Sequence, residues 1–456
     1  MPVATNRPTL TEGSVASVLF AFALPTLASS VLQSLSASIN AAWIGHLLGQ
    51  RALAASANAN SLLFFLLAAT FGLGLAATVL VGQSLGAKDL ATAKKTIGTS
   101  LTFFGGVAVG LAILGFAFAP RLLMLMHTTA DVTPLASAYL RVIFLALPAM
   151  VLYSFLMMSL RGAGDARTPF YFLLLSVLID VSLNPLLIRG VGPFPQLGIA
   201  GAATATLIGQ WVSVFALAAW FYITKNPLRI TDARDLLIEP RILRALLFKG
   251  VPMGLSVVLM SASMLALISL VNGYGAGTTA AYGACVQLWN YIQMPALALG
   301  NAVSSMTAQS VGAKLWARVA QIARTGLLFN VVLTSALVVL VSALRGRAFA
   351  IFLGNDAGAI ATAVHIHNVV SWSFILFGMS FVLTSVVRAT GAVLLPMLFM
   401  FIALWVVRIP FAYLLTPSLH AESIWWSYPL GSFVSVTLAA LYYRFGNWRQ
   451  SQMLAR

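Results

Sequence analysis

One carboxylate in this chain sits where carboxylates are costly. Asp180 lies near the middle of LLLSVLIDVSLNPLLI, residues 173–188, with Asn184 one helical turn on and Pro185 beside it. A charge at the centre of hydrocarbon costs roughly 2.5–3.5 kcal/mol on insertion scales, so such an acid faces protein or water and marks an ion or substrate path. The other nine acids, Glu12, Asp89, Asp131, Asp165, Asp232, Asp235, Glu239, Asp356 and Glu422, fall outside deep apolar segments. Burial disfavours the ionised carboxylate, and hydrogen bonds from amides and hydroxyls favour it. When the two nearly balance, the group takes up and releases a proton near neutral pH. The bland alternative is a fixed hydrogen bond between helices.

Depth and face select the partners. Asp180 is about eight residues, roughly 12 Å, from the end of its helix. Thr206 on the next helix, Asn40 and Gln33 on the first and Tyr139 on the fourth fall in a similar layer. Asp180 and Asn184 are i, i+4; Gln33, Ser36 and Asn40 share one stripe, as do Thr206 and Gln210. A polar pocket within the N-terminal half is expected from Asp180, Asn184, Asn40, Thr206, Tyr139 and Gln33. Sodium is the rival to the proton there, because Asp180, Asn184, Thr206 and a carbonyl freed by Pro185 could all offer oxygen.

The elements that position these residues are membrane spans. Hydrophobic residues make up 60% of the 456 and charged ones only 8%, against about 25% in water-soluble chains. Such a chain is all-α, because lipid offers no partner to an open backbone group. Twelve apolar stretches reach spanning length, at about 15–43, 54–81, 97–119, 133–160, 169–189, 197–223, 246–272, 280–305, 320–344, 359–386, 393–415 and 424–445. With the N-terminus in the cytoplasm, inner loops and tails carry nineteen Lys and Arg, from Arg7 to Arg456. The outer side carries six, Arg51, Arg121, Arg141, Arg189, Arg345 and Arg347. That bias puts both termini of a multi-pass membrane protein in the cytoplasm. The net charge of +16 then serves contact with anionic lipid headgroups, and no nucleic-acid partner is expected. The single cysteine, Cys285, excludes an internal disulfide and a cysteine-based metal site.

The chain also repeats itself. GQSLGAKD at 82–89 resembles AQSVGAKL at 308–315, an offset of 226; Pro25 answers Pro252, and RGAGDARTP at 161–169 answers RATGAVLLP at 388–396, both at 227. Six spans per half is an even number. The expected architecture is therefore two six-helix bundles related by a pseudo-two-fold axis along the membrane normal, as in many transporters. The lobes are placed at 1–228 and 244–456, with the polar stretch 229–243 as a cytoplasmic linker.

In order and spacing, WIGHLLGQRALAA after Pro25, GQSLGAKD, RGAGDARTP, LNPLLI, LGIAGAATAT and the copies AQSVGAK and RATG resemble the multidrug and toxic compound extrusion (MATE) transporters. The resemblance covers nearly the whole chain. It implies two six-helix bundles in a V that open alternately to each side, and export of cationic amphipathic drugs in exchange for protons or sodium. It implies no cofactor and no metal beyond that coupling ion, and a monomer is expected. The chain departs from the family pattern in four places. Asn40 stands where many members have Asp. The order Asp180, Asn184, Pro185 exchanges the usual acid and amide. Met260 stands where some relatives have an acid on the seventh span, and the tenth span has none. A carboxylate switch is thus left to the N-terminal half.

Pro25, mid-helix, removes a backbone hydrogen bond and is the expected hinge. In the C-terminal half Gln287, Asn290 and Met294 share a stripe, with Trp289, Tyr282 and Tyr291 nearby. Rings attract cations and methionine adapts to varied shapes. Gln287, Asn290, Met294, Trp289 and Met260 are accordingly the expected drug-binding residues, with ordinary helix packing as the competing account. Arg408 is expected to snorkel or to pair with a carbonyl.

Two other classes compete. An enzyme would need convergent groups, but His46, His127, His365, His367 and His420 lie near span ends or loops with no nucleophile–base set. A flippase for a lipid-linked saccharide would want a cationic cavity for its pyrophosphate, and only Arg408 is offered.

Overall fold

A computed structural model describes residues 10–125, 132–344 and 346–454; Arg7, His127, Asp131, Arg345 and Arg456 lie outside the described residues. The described chain is helical throughout. The long helices are α1 Val15–Leu48, α2 Gln50–Gly86, α3 Leu90–Leu125, α4 Thr133–Gly162, α5 Arg167–Arg189, α6 Ile199–Ile223, α7 Pro240–Asn272, α8 Ala276–Gly312 and α9 Trp316–Leu344. Then come α10 Gly346–Leu353, α11 Ala357–Val370 and α12 Ser373–Arg388. After them α13 Leu394–Phe401 passes through a π-helical segment, Ile402–Arg408, into α14 Ile409–Leu414, and α15 Thr416–Leu419 precedes α16 Glu422–Phe445.

Among the described residues ten helices are long and apolar enough to cross a membrane, and α11 with α12, bent by 43°, makes an eleventh. α8 has 37 residues and is more polar, carrying Gln287, Asn290, Gln293 and Asn301. Each of the twelve spans expected from sequence falls on a helix or on one of these joined helices.

The internal repeat reappears as matched turns. Gly49 before α2 and Gly275 before α8 have φ of 84° and 90°. Lys88 and Lys314, after α2 and α8, have φ of 60° and 61°, and Gly164 and Gly391 have 90° and 104°. The lysine turns close alike: Asp89 N–H donates to the Ser84 carbonyl and Leu315 N–H to the Ser310 carbonyl, each at 2.8 Å. A left-handed lysine costs roughly 1–2 kcal/mol, so both copies keep an unfavourable turn. Asp89 then caps α3. It accepts from Thr92 N–H at 2.9 Å and Thr92 Oγ1 at 2.6 Å, and these bonds hold its carboxyl below the usual range.

By packing, the chain divides into two units. One runs Ala28–Val251; the other comprises the chain up to Leu27 together with everything from Pro252 onward. Both boundaries fall at a helix-interior proline, two residues beyond Pro25 and immediately before Pro252. The stretch 229–243, expected as a cytoplasmic linker, is docked on α3. Thr102 Oγ1 donates to the Leu236 carbonyl at 2.8 Å and Glu239 N–H to Thr99 Oγ1 at 3.2 Å. Gly98 leaves room for the Asp235 carbonyl where a Cβ would collide. The Lys95–Glu239 pair at 3.7 Å is half-exposed and adds little.

In the unit Ala28–Val251, α4 is the central helix, buried at Tyr139, Leu140, Phe144, Leu147, Tyr153 and Leu160 among others. α2 can approach it because Gly162 leaves space for the Thr78 carbonyl, while Thr78 Oγ1 donates to the Met158 carbonyl at 3.0 Å. Replacing Gly162 by Val drives a branched side chain into backbone. Overpacking of that kind costs about 1–3 kcal/mol. A lower thermal midpoint of the detergent-solubilised protein is the expected readout, and an unchanged midpoint would mean that α2 and α4 separate freely.

In the other unit the core lies among α8, α11, α12 and α16, around Tyr282, Cys285, Trp289, Val370, Phe374, Trp425 and Tyr428. The segment before α1 joins this unit through Arg318 on α9. Its guanidinium donates to three backbone carbonyls, those of Leu10 at 3.1 Å, Glu12 at 2.8 Å and Gly13 at 2.9 Å.

Candidate functional site

The carboxylate of Asp180 is buried, 7% exposed, and Asn184 on the next turn of α5 is 1% exposed. α1 brings Asn40 against both: Asn40 Nδ2 donates to Asp180 Oδ2 at 2.5 Å, and Asn184 Nδ2 donates to Asn40 Oδ1 at 2.9 Å. α6 brings Thr206, whose Oγ1 donates to Asp180 Oδ1 at 3.0 Å. Three helices thus meet at one acid. The α5–α6 approach depends on Gly209, where an added Cβ would stand 3.0 Å from the Ser176 carbonyl and 3.7 Å from the Asp180 Cβ. One turn away Gln210 Nε2 donates to Ser176 Oγ at 3.5 Å.

Each carboxylate oxygen receives one donor, where an ionised carboxylate has about four acceptor positions between its two oxygens. Among the described residues no cation pairs with Asp180. Asn184 Oδ1 is buried beside it with no hydrogen-bond partner. The site is therefore richer in acceptors than in donors. That is an arrangement a proton or a small cation completes, and one left incomplete costs about 1–3 kcal/mol per unpaired buried group.

Four of the six residues expected here, Asp180, Asn184, Asn40 and Thr206, form one connected network. Tyr139 is buried but donates elsewhere, to Asn60 Oδ1 at 3.4 Å. Gln33 is exposed and outside the network. Asn60 was missed. Its signal was the polar run Ser56, Asn58, Asn60 at the start of an otherwise apolar α2.

In the other unit the expected drug-binding residues differ in burial. Gln287 and Asn290 are exposed, Met260 is half-buried, and Met294 and Trp289 are buried. Trp289 packs in the core, its ring 5.4 Å from Tyr428, 5.5 Å from Phe374 and 5.9 Å from Tyr282. The correction is physical: on α8 the face bearing Trp289 and Tyr282 turns toward α12 and α16, so these rings fill the bundle and offer no open face to a drug. His365 and His367 diverge to Glu422 and to Ser342, at 2.6 and 3.1 Å.

The family model MatE matches this chain twice, over residues 25–186 and 252–414. The chain belongs to the MatE family. The two MatE segments begin 227 residues apart and end 228 apart (252 − 25 and 414 − 186), the same register as the internal repeat. The chain is 37% identical over 436 residues to the probable multidrug resistance protein YoeA of Bacillus subtilis, covering 95% of this chain and 94% of that protein. It is 30% identical over 448 residues to the probable multidrug resistance protein YpnP of the same organism, covering 97% and 98%. Its fold matches a crystal structure of MATE in the straight conformation with a TM-score of 0.88 at 20% identity, over 96% of this chain and 98% of that one. This MatE chain is a multi-pass membrane protein of a family of transporters, not of enzymes.

Proposed function

We propose that this MatE chain is a secondary active multidrug exporter. It expels cationic amphipathic compounds in exchange for protons or sodium, through alternating access of two lobes, in a bacterial inner membrane with both termini cytoplasmic. Coupling runs through Asp180. The observation that carries this reading is the buried carboxylate held by two neutral donors, Asn40 and Thr206, with the unpartnered Asn184 Oδ1 beside it. The relatives' description as multidrug resistance proteins supports the cargo, and the excess of Lys and Arg on one side supports the orientation.

The chemistry of exchange follows from the donors. An ionised Asp180 holds Asn40 and Thr206 and so ties α1 to α5 and α6. A protonated one is itself a donor; it binds Asn40 Nδ2 less strongly and can turn its O–H toward Asn184 Oδ1. The proton therefore changes the force holding α1, and Pro25 is placed to let that helix respond. Sodium would instead gather Asp180, Asn184 Oδ1, Asn40 Oδ1 and Thr206 Oγ1, an all-oxygen set. Dye efflux from everted vesicles, with pH and sodium varied independently, tests the reading. A proton-driven exporter responds to the pH gradient at constant sodium, and a sodium-driven one to sodium at constant pH. Efflux indifferent to both would remove Asp180 from the mechanism.

A further inference from the structure

The two halves place opposite charges at matching positions, and two glycines reveal the match. Gly209 on α6 faces the Ser176 carbonyl and the Asp180 Cβ. Gly431 on α16 faces the Ala403 carbonyl and the Arg408 Cβ, each 3.2 Å from an added Cβ. The pairs are offset by 222 for the glycines (431 − 209), 227 for Ser176 and Ala403 (403 − 176) and 228 for Asp180 and Arg408 (408 − 180). The step from 227 to 228 falls within the π-helical segment Ile402–Arg408, whose wider turn absorbs one extra residue. The offset of 222 also sets Tyr428 against Thr206. Arg408 and Tyr428 therefore occupy, in their own unit, the positions that Asp180 and Thr206 occupy in the other.

Arg408 is oriented but unpaired. Its guanidinium lies over the Tyr428 ring, 3.4 Å from the centroid, and the Tyr428 hydroxyl shares a 2.5 Å hydrogen bond with that of Tyr282. Arg408 Nε is buried with no hydrogen-bond partner, whereas the residue as a whole is partly exposed. Among the described residues no carbonyl accepts a hydrogen bond from its Nε. The two carboxylates of the chain beyond Pro252 are engaged elsewhere, Asp356 on the Ala359 N–H at 3.0 Å and Glu422 on His365 at 2.6 Å. Stacking occupies the face of a guanidinium and leaves its N–H edge to a planar oxyanion.

We propose that Arg408, held over the Tyr428 ring, binds the carboxylate or phosphate group of an amphipathic molecule, which makes acidic and zwitterionic compounds ligands of this half. The site does not depend on how Asp180 is used, and its test reads binding, not transport.

The test is calorimetric titration of the full-length protein in detergent with benzoate, phenyl phosphate and the neutral benzamide. Wild type binds at least one anion and not benzamide. Arg408→Gln weakens that binding by about tenfold or more, and Arg408→Lys, a point charge without the fork, falls between. Competition by phosphatidylglycerol in mixed micelles assigns the site to a lipid headgroup; absence of competition assigns it to a soluble anion, and either result keeps the oxyanion chemistry. Should Arg408→Gln fail to fold, wild type alone decides: its thermal midpoint rises with benzoate and not with benzamide. Equal binding by Arg408→Gln, or wild type that prefers neither anion to benzamide, overturns the proposal.

Discussion

Asp180→Asn abolishes ion-driven efflux while the protein still reaches the membrane. Asparagine has the shape of aspartate, so the Thr206 bond to Oδ1 survives and the Asn40 contact needs the amides of Asn40 and Asn184 to rotate together. What is lost is the charge and its titration. With one charge state the site cannot alternate between holding and releasing α1, and the initial rate of dye efflux should drop at least tenfold, equivalent to about 1.4 kcal/mol. Thermal stability should hold or rise, because an unpaired buried charge is removed. The measurement is resistance and efflux normalised to membrane-inserted protein. Full resistance in this variant would reduce Asp180 to a fixed interhelical contact.

Asn40 tests the other end of the same bond. Asn40→Leu strips the donor from Asp180 Oδ2 and the acceptor from Asn184 Nδ2 at once. Losing a hydrogen bond to a charged group costs about 1.5–3 kcal/mol, and the half-buried position of Asn40 places the loss toward the lower end. A reduced thermal midpoint and loss of efflux are expected together. Asn40→Asp behaves differently. It keeps the acceptor for Asn184 and sets a second carboxylate against the first. Two carboxylates at hydrogen-bond distance share one proton, so efflux persists with its pH profile moved toward alkaline values. An Asn40→Leu protein as stable and active as wild type would detach α1 from the switch.

Much of this site could be read before any coordinates. A carboxylate within an apolar run is costly enough to stand out, and helix depth with i, i+4 spacing then put Asn184, Asn40 and Thr206 beside it. Spacing alone gives the face of a helix and not what that face meets, so Gln33 shared a stripe with Asn40 yet lies outside the network. Trp289 failed for a related reason: an indole suits a core and a drug pocket equally well, and only its packed neighbours tell them apart. The docking of 229–243 was invisible because Gly98, Thr99 and Thr102 look like ordinary residues of an apolar span. The pairing of Asp180 with Arg408 was hidden by a single residue, since counting at a constant 227 sets Asp180 against Val407.

α2 and α8 have 37 residues each, about 55 Å of helix against an oil layer of about 30 Å. Neither can be submerged whole, even when tilted. Each is followed by its left-handed lysine. A helix so much longer than the oil layer must leave some of its turns among headgroups and water, where a lysine ammonium keeps its hydration and meets phosphate.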